Sequence, residues 1–297
     1  MHILVTNDDG VSSPGLRALA GAMEKLGTVF VVAPEREQGA VGHSVTLHKP
    51  LRISPIDTNV YAVNGTPSDC VLLAVTKLMR RPPALVISGI NRGVNLGDDV
   101  TYSGTVSAAM EGTLLGIPSI AVSQAGTRNF KFKTAAYFAW RIAKIVLNRG
   151  LPDETLLNVN IPDRMRISIT GVRLTSLSRR RYEDPVVEKV DPRGRKYYWI
   201  AGTRVSWERH ADSDYEAVRQ GLVSITPIHV DLTHYPVLDQ LRSWEELLTR
   251  GVLTRRRPST RLNTVVSRTK DSSKRTLSGK QSSVLKKSHR MIRRRPT

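Results

Sequence analysis

The chain has a single cysteine, Cys70, and few aromatic residues: 4 Phe, 4 Trp and 8 Tyr among 297. One thiol excludes an intrachain disulfide and any cysteine-rich metal cluster, and it fits a reducing, cytoplasmic location. No run reaches the ~18 apolar residues of a membrane span, so no membrane partner is expected. An apolar run begins at once and carboxylates follow by position 8, which predicts no secretory leader. Internal repeats are lacking. Acids are scarcest at the carboxyl end, where residues 251–297 hold 15 Lys and Arg against Asp271 alone. Of the net charge of +19, +14 therefore lies in that segment. Dense positive charge, many Ser and Thr, and scattered apolar residues predict a disordered basic tail. Residues 1–250 are only mildly basic and long enough for a sizeable core.

What is present begins with Ile3-Leu4-Val5-Thr6, an apolar run that ends in Asn7-Asp8-Asp9-Gly10. Such a run reads as a buried strand of a parallel sheet. Gly10 lets the chain turn away, and ligands of open α/β sheets bind beyond the carboxyl ends of strands. Two adjacent carboxylates repel, so either one takes a proton or a cation sits between them, a hard divalent ion being the simplest occupant. A solvated turn is the plain alternative.

Downstream, Ser13-Pro14 reads as the cap and first residue of a helix that runs to Gly27. Val29 to Ala33 is a second buried strand, and the two strands with their helix make a parallel crossover unit. Thr66-Pro67 opens a further helix, Ala84 to Ser88 is a strand, and a long Gly- and Asn-rich loop runs from Gly89 to Asp99. Loops of that length between buried elements usually carry function. A helix then starts at Ser103-Gly104-Thr105; strands are predicted at 119–123 and 156–161, and a helix at 134–147. From 170 to 222 the pattern changes to antiparallel hairpin material around Asp191-Pro192-Arg193-Gly194, an insertion in the α/β scheme. A strand near 222–229 and a helix over 238–248 complete the reading.

Several motifs in order and spacing carry a resemblance: Asn7-Asp8-Asp9-Gly10, the loop from Ala33 to Ser44, Gly65-Thr66-Pro67-Ser68-Asp69-Cys70, the loop from Ser88 to Asp99, and Tyr102-Ser103-Gly104-Thr105-Val106. Together they resemble the SurE family, the stationary-phase survival nucleotidases, from residue 1 to about 248. The resemblance implies a Rossmann-like, mostly parallel sheet flanked by helices, and a domain over 1–250 in which 170–222 serves oligomerisation. It implies a metal-dependent phosphomonoesterase acting on nucleoside 5′- and 3′-monophosphates, and in some members on short polyphosphate; the residues' chemistry favours metal-activated water, with a covalent aspartyl-phosphate route as the alternative. One divalent ion per subunit, Mg²⁺ or Mn²⁺, and homodimers or tetramers follow from the same likeness. The metal ligands carried over are Asp8, Asp9 and Asn91. The family's fourth ligand, a serine, falls on Gly39, which has no side chain to offer. Water, substrate, Ser44 or Gln38 would have to fill that position, or the site is weakened.

Other candidates carry two readings each. Ser103, Gly104 and Thr105 either seat a phosphate on free helix N–H groups or simply cap the helix. Asn95 either lines the phosphate pocket with Asn91 or stabilises its loop. His43 and His229 are candidate proton donors, or else surface and interface residues. Cys70 reads as a packed small residue, and Asp98 and Asp99 as loop caps. Arg179, Arg180 and Arg181 either clamp polyanions or form a solvated hairpin face. Tyr182, Tyr197, Tyr198 and Trp199 either stack on a base or pack against a neighbouring subunit. The 251–297 tail suggests nonspecific nucleic-acid contact. A phosphoacceptor switch is disfavoured by the two loops that follow the acids and by the chain's length. A dinucleotide dehydrogenase would need Gly-x-Gly-x-x-Gly after the first strand, which is missing.

Overall fold

The structure is a computed structural model and describes residues 1–128, 130–183, 186–200, 204–208 and 210–253. The basic segment 254–297 lies outside the described residues, and with it the expectation of a disordered tail. Residues 1–234 form one compact unit, and the described residues from Tyr235 on belong to a second.

In the first unit the chain runs β1 (His2–Thr6), α1 (Pro14–Met23), β2 (Thr28–Pro34), β3 (Ile53–Asp57), β4 (Val60–Val63), α2 (Pro67–Leu73), β5 (Leu85–Arg92), α3 (Gly104–Leu114), β6 (Ser119–Gln124), α4 (Lys133–Arg149) and β7 (Thr155–Ile161). There follow β8 (Gly171–Leu174), β9 (Arg180–Glu183), β10 (Val186–Val190), β11 (Lys196–Ile200), β12 (Arg204–Trp207), α5 (Asp214–Gln220) and β13 (Leu222–His229). The second unit contributes α6 (Tyr235–Leu241) and α7 (Ser243–Leu253), where the sequence reads as one helix.

Nine strands form one sheet in the order β3-β4-β2-β1-β5-β6-β7-β13-β8. Its centre, β4 through β7, is parallel; β3 and β13 run antiparallel to their inner neighbours. β1 steps to β2 on one side, while β5 lies on β1's other side. The strand order thus reverses between β1 and β5, the place where doubly wound sheets bind ligands.

Both faces of the sheet are covered. Ile3 and Val5 of β1 pack with α1 and α4, whereas Leu4 packs with α2. In β6, Ile120 and Val122 face the α4 side and Ala121 the α3 side. A strand whose alternate residues are all apolar reads as a continuous run, which is why β1 and β6 are legible in sequence. Each fully buried Ile, Leu or Val stabilises the fold by roughly 1.5–3 kcal/mol. The steps β5 to β6 and β6 to β7 go the same way, yet α3 and α4 lie on opposite faces. The two crossovers therefore have opposite hands, an exception to the usual rule.

Local signals match the elements they open. Ser13 accepts from Leu16 N–H with Pro14 at the first helical position. Thr66 and Asp69 form a reciprocal capping box. Two details differ from the sequence reading. β5 continues through Arg92, because Asn91 and Arg92 pair with Ser123 and Gln124 of β6 after a register shift at Gly89. In the insertion, β10 pairs with β11 across the Asp191–Gly194 turn, while 180–183 pairs with 204–207 instead of with 195–200.

Candidate active site

The carboxyl ends of β1 and β5 and the amino end of α3 converge on a cleft of about 800 Å³. Asp8, Asp9, Glu37, Gly39, Asn91, Arg92, Asn95, Asp99, Tyr102 and Ser103 line it, together with Ala40, Val94 and Ile200. Gly10, at φ +95°, turns the chain from β1 into α1 and so leaves both aspartates at the strand end.

Asp8 is buried, 7% exposed, and its carboxyl accepts a hydrogen bond from the Thr105 hydroxyl of α3. Burial pushes its pKa up to about 6, helped by the Asp9 charge beside it; the Thr105 hydrogen bond pulls the other way. Gly104 lets α3 approach this closely, since a β-carbon there would stand 2.8 Å from Asp8 Cβ. Ser103 Oγ is taken up in capping, accepting from Val106 N–H at 3.1 Å. The start of α3 therefore both caps itself and braces Asp8.

Burial also raises the Asp9 pKa, against the opposing pull of Arg92. Arg92 Nη2 lies 3.3 Å from Asp9 Oδ1 and 3.6 Å from Glu37 Oε2. Asp9 Oδ2 is buried and has no partner among the described residues. Asn91 donates from Nδ2 to the Gly93 carbonyl, which leaves its Oδ1 as a neutral oxygen ligand. The lining thus sets four carboxylates against one guanidinium, with a buried carboxylate oxygen lacking a partner. That donor set suits a hard divalent cation. Among the described residues no three His, Cys, Asp or Glu are placed to hold one metal ion together, so a cation here would rest on two carboxylates and neutral oxygens. Gly39 lines the same cleft, and a β-carbon on it would meet only Glu37 Oε1, at 3.9 Å.

Residues that the sequence reading passed over hold the loop between β5 and α3. Asn160 of β7 donates to the Asn95 carbonyl and accepts from its N–H, each at 2.9 Å, while Asn158 donates to the same carbonyl. Asn95 Nδ2 donates to Ser123 Oγ. Two residues beyond Asn95, the Gly97 N–H donates to the buried Asp214 carboxylate, which also accepts from Ser178 and Tyr215 N–H. Arg180 pairs with Asp99, and its N–H donates to Asp98. Polar residues inside an otherwise apolar strand, Asn158 and Asn160 in Leu156–Ile161, were the one sequence signal available. Arg92 and Asp214 carried none.

The histidines lie elsewhere. His43 Nε2 is 2.8 Å from Glu111 on α3, outside the cleft lining. His229 pairs in register with Thr155 at the amino end of β7, the sheet end opposite the aspartates. Cys70 is buried in the α2 core, and burial raises its thiol pKa well above the ordinary value. Arg181 pairs with Glu208, and Tyr198 and Trp199 are exposed on β11. Tyr197 is exposed there too, while the side chain of Tyr182 lies outside the described residues.

Comparison with known proteins gives a consistent result. The family described as survival protein SurE matches residues 3–184. A 5′-nucleotidase SurE from Geotalea daltonii is 55% identical over 246 residues, which span 82% of this chain and 99% of that protein. A 5′-nucleotidase SurE from Geobacter sulfurreducens is 53% identical, covering 82% and 94% respectively. A crystal structure of the Sure protein from Aquifex aeolicus superposes with a TM-score of 0.76 at 48% identity, over 82% of this chain and all of that one.

Proposed function

Since this chain belongs to the survival protein SurE family, we propose that it is a 5′-nucleotidase, a phosphoric monoester hydrolase that releases phosphate from nucleoside 5′-monophosphates. The observation that carries this reading is the meeting of Asp8, Asp9 and Asn91 with the amino end of α3 at the β1/β5 reversal. The reading extends to metal dependence with Mg²⁺ or Mn²⁺, to 3′-monophosphates and short polyphosphate, and to a cytoplasmic homodimer or tetramer.

Asp8, Asp9 and Asn91 would hold the cation. When bound, a divalent ion neutralises phosphate charge and makes water a better nucleophile at neutral pH. The rest falls to the chain. Arg92, already balancing Asp9 and Glu37, offsets part of the charge of a phosphate dianion in the cleft. The α3 amino end favours an anion through its dipole. One of the two aspartates would also take the proton of an attacking water, and the Thr105 hydroxyl orients Asp8 for that role. Tyr102 and Ile200, exposed on the rim, offer an apolar surface to the nucleoside.

The test is phosphate release from a panel of nucleoside 5′- and 3′-monophosphates and short polyphosphate, with Mg²⁺, Mn²⁺ or EDTA, for wild type and Asp8→Asn. Metal-dependent release from the 5′-monophosphates, lost with EDTA and with Asp8→Asn, is expected. No release by folded protein with any metal would point to a site disabled at Gly39. The basic segment 251–297, as a nucleic-acid-binding arm, would then become the leading reading.

A further inference from the structure

Away from the cleft, a groove of about 520 Å³ lies between α1 and α4 and is open to solvent. Small residues such as Gly21 and Ala136 give it depth, and Tyr137 and Trp140 stand along it. Its charged lining is Lys25, Lys133 and Arg166, with no carboxylate. Cations and rings already meet there. The Arg166 guanidinium lies 4.6 Å from the Tyr137 ring centre, and Arg141 approaches the same ring at 6.0 Å. Lys144 Nζ lies 5.9 Å from the Trp140 ring.

What sets these five cations apart is that they gather around one groove and its two rings. Arg92, Arg180, Arg181, Lys196 and Arg219 each pair with a carboxylate. Lys25, Lys133, Arg141, Lys144 and Arg166 have no carboxylate partner among the described residues. A face that keeps its cations unpaired is complementary to an anion. An inorganic polyanion would use the cations and leave the rings idle. A free nucleotide would use one ring and one or two cations, yet Arg141 and Lys144 continue the positive charge along α4 beyond the groove. Phosphates at intervals with bases between them match both features.

We propose that the α1–α4 groove is a second, noncatalytic site that binds single-stranded nucleic acid, with phosphates on Lys25, Lys133 and Arg166 and a base stacked against Tyr137 and Trp140. The phosphates draw the cations from the ring faces, and the bases take their place. The site is independent of the nucleotidase reading, since none of its residues lines the cleft.

The experiment uses the full chain and a fluorescein-labelled single-stranded RNA of about twelve nucleotides with hydroxyl ends, which offers the cleft no terminal phosphate. Anisotropy across a salt series compares wild type, Lys133→Gln/Arg166→Gln and Gly21→Leu. The double variant should weaken binding about tenfold and flatten the slope of log affinity against log salt by about 1.4, near 0.7 for each lost phosphate contact. A β-carbon at Gly21 meets nothing within 4 Å, and leucine adds bulk there without charge. It should weaken binding several-fold and leave the slope alone. Phosphate release by both variants should match wild type, which checks that they fold. Photocrosslinking of a 4-thiouridine version to the wild type, which needs no variant, should mark the peptide over 133–149. Unchanged affinity and slope in both variants, or crosslinks confined to 251–297, would overturn the proposal. Displacement by adenosine monophosphate at equal nucleotide concentration would overturn the choice of a strand over a free nucleotide.

Discussion

Asp8 holds a proton more tightly in the folded chain than in the unfolded one. Its pKa rises from 3.8 to about 6, first through burial and then through Asp9. Between about pH 4 and 6 the native state binds the extra proton, so in metal-free protein this group's contribution is fully present below pH 4. It is lost as the pH rises through about 6. Asp8→Asn keeps the shape and removes the charge. It should therefore raise the melting temperature of EDTA-treated protein at pH 7.5, by the equivalent of at most about 3 kcal/mol, while phosphate release is lost. An unchanged or lower melting temperature would mean that the ionised carboxylate is compensated in the fold. Gly39 poses the opposite question, since it has room and no side chain. Gly39→Ser should leave kcat alone and either keep or tighten divalent-cation affinity, read by calorimetric titration. A large loss of activity would show that the glycine serves another purpose.

At the scale of elements, the loop from β5 to α3 lines the cleft, and other elements hold its first half. Asn95 is held by Asn158 and Asn160 of β7, and Gly97 by Asp214 of α5. Gly97, at φ +53°, has Ser178 O only 2.3 Å from where a β-carbon would stand, so the insertion's base and the loop are packed backbone to backbone. Asp214→Asn keeps the volume but supplies one acceptor oxygen for three N–H groups, leaving at least one poorly paired at a cost of about 1–3 kcal/mol. A lower melting temperature is expected, together with a KM for nucleotide that rises more than kcat falls. Equal losses in both constants would argue for a general folding defect instead of a displaced loop.

For the whole molecule, the division of charge is the main prediction. The described elements end at Leu253, and +14 of the charge lies in 251–297. A chain ending at Leu253 should retain kcat/KM on nucleotides within about twofold and lose most of the salt dependence of RNA binding. The portion that survives should respond to Lys133→Gln/Arg166→Gln. Loss of nucleotidase activity on truncation would show that the basic segment serves the cleft.

The amino-acid order by itself determined the elements whose signals are local. β1 is a buried run that ends in two acids. Ser13, Thr66 and Ser103 cap their helices through bonds only three residues long. Motif order was enough to point to the family and to put forward Asp8, Asp9 and Asn91 as candidate ligands. Tertiary structure alone decided the rest, because the partners are far apart in the chain and nothing local encodes register. Asp8 meets Thr105, Arg92 meets Asp9, Asn160 meets Asn95 and Asp214 meets Gly97 across 97, 83, 65 and 117 residues. The same holds for β5, whose extension through Arg92 depends on an edge that β6 supplies, and for Lys25 just past α1, the cations of α4 and Arg166 past β7, which become one surface only when the sheet brings these segments together.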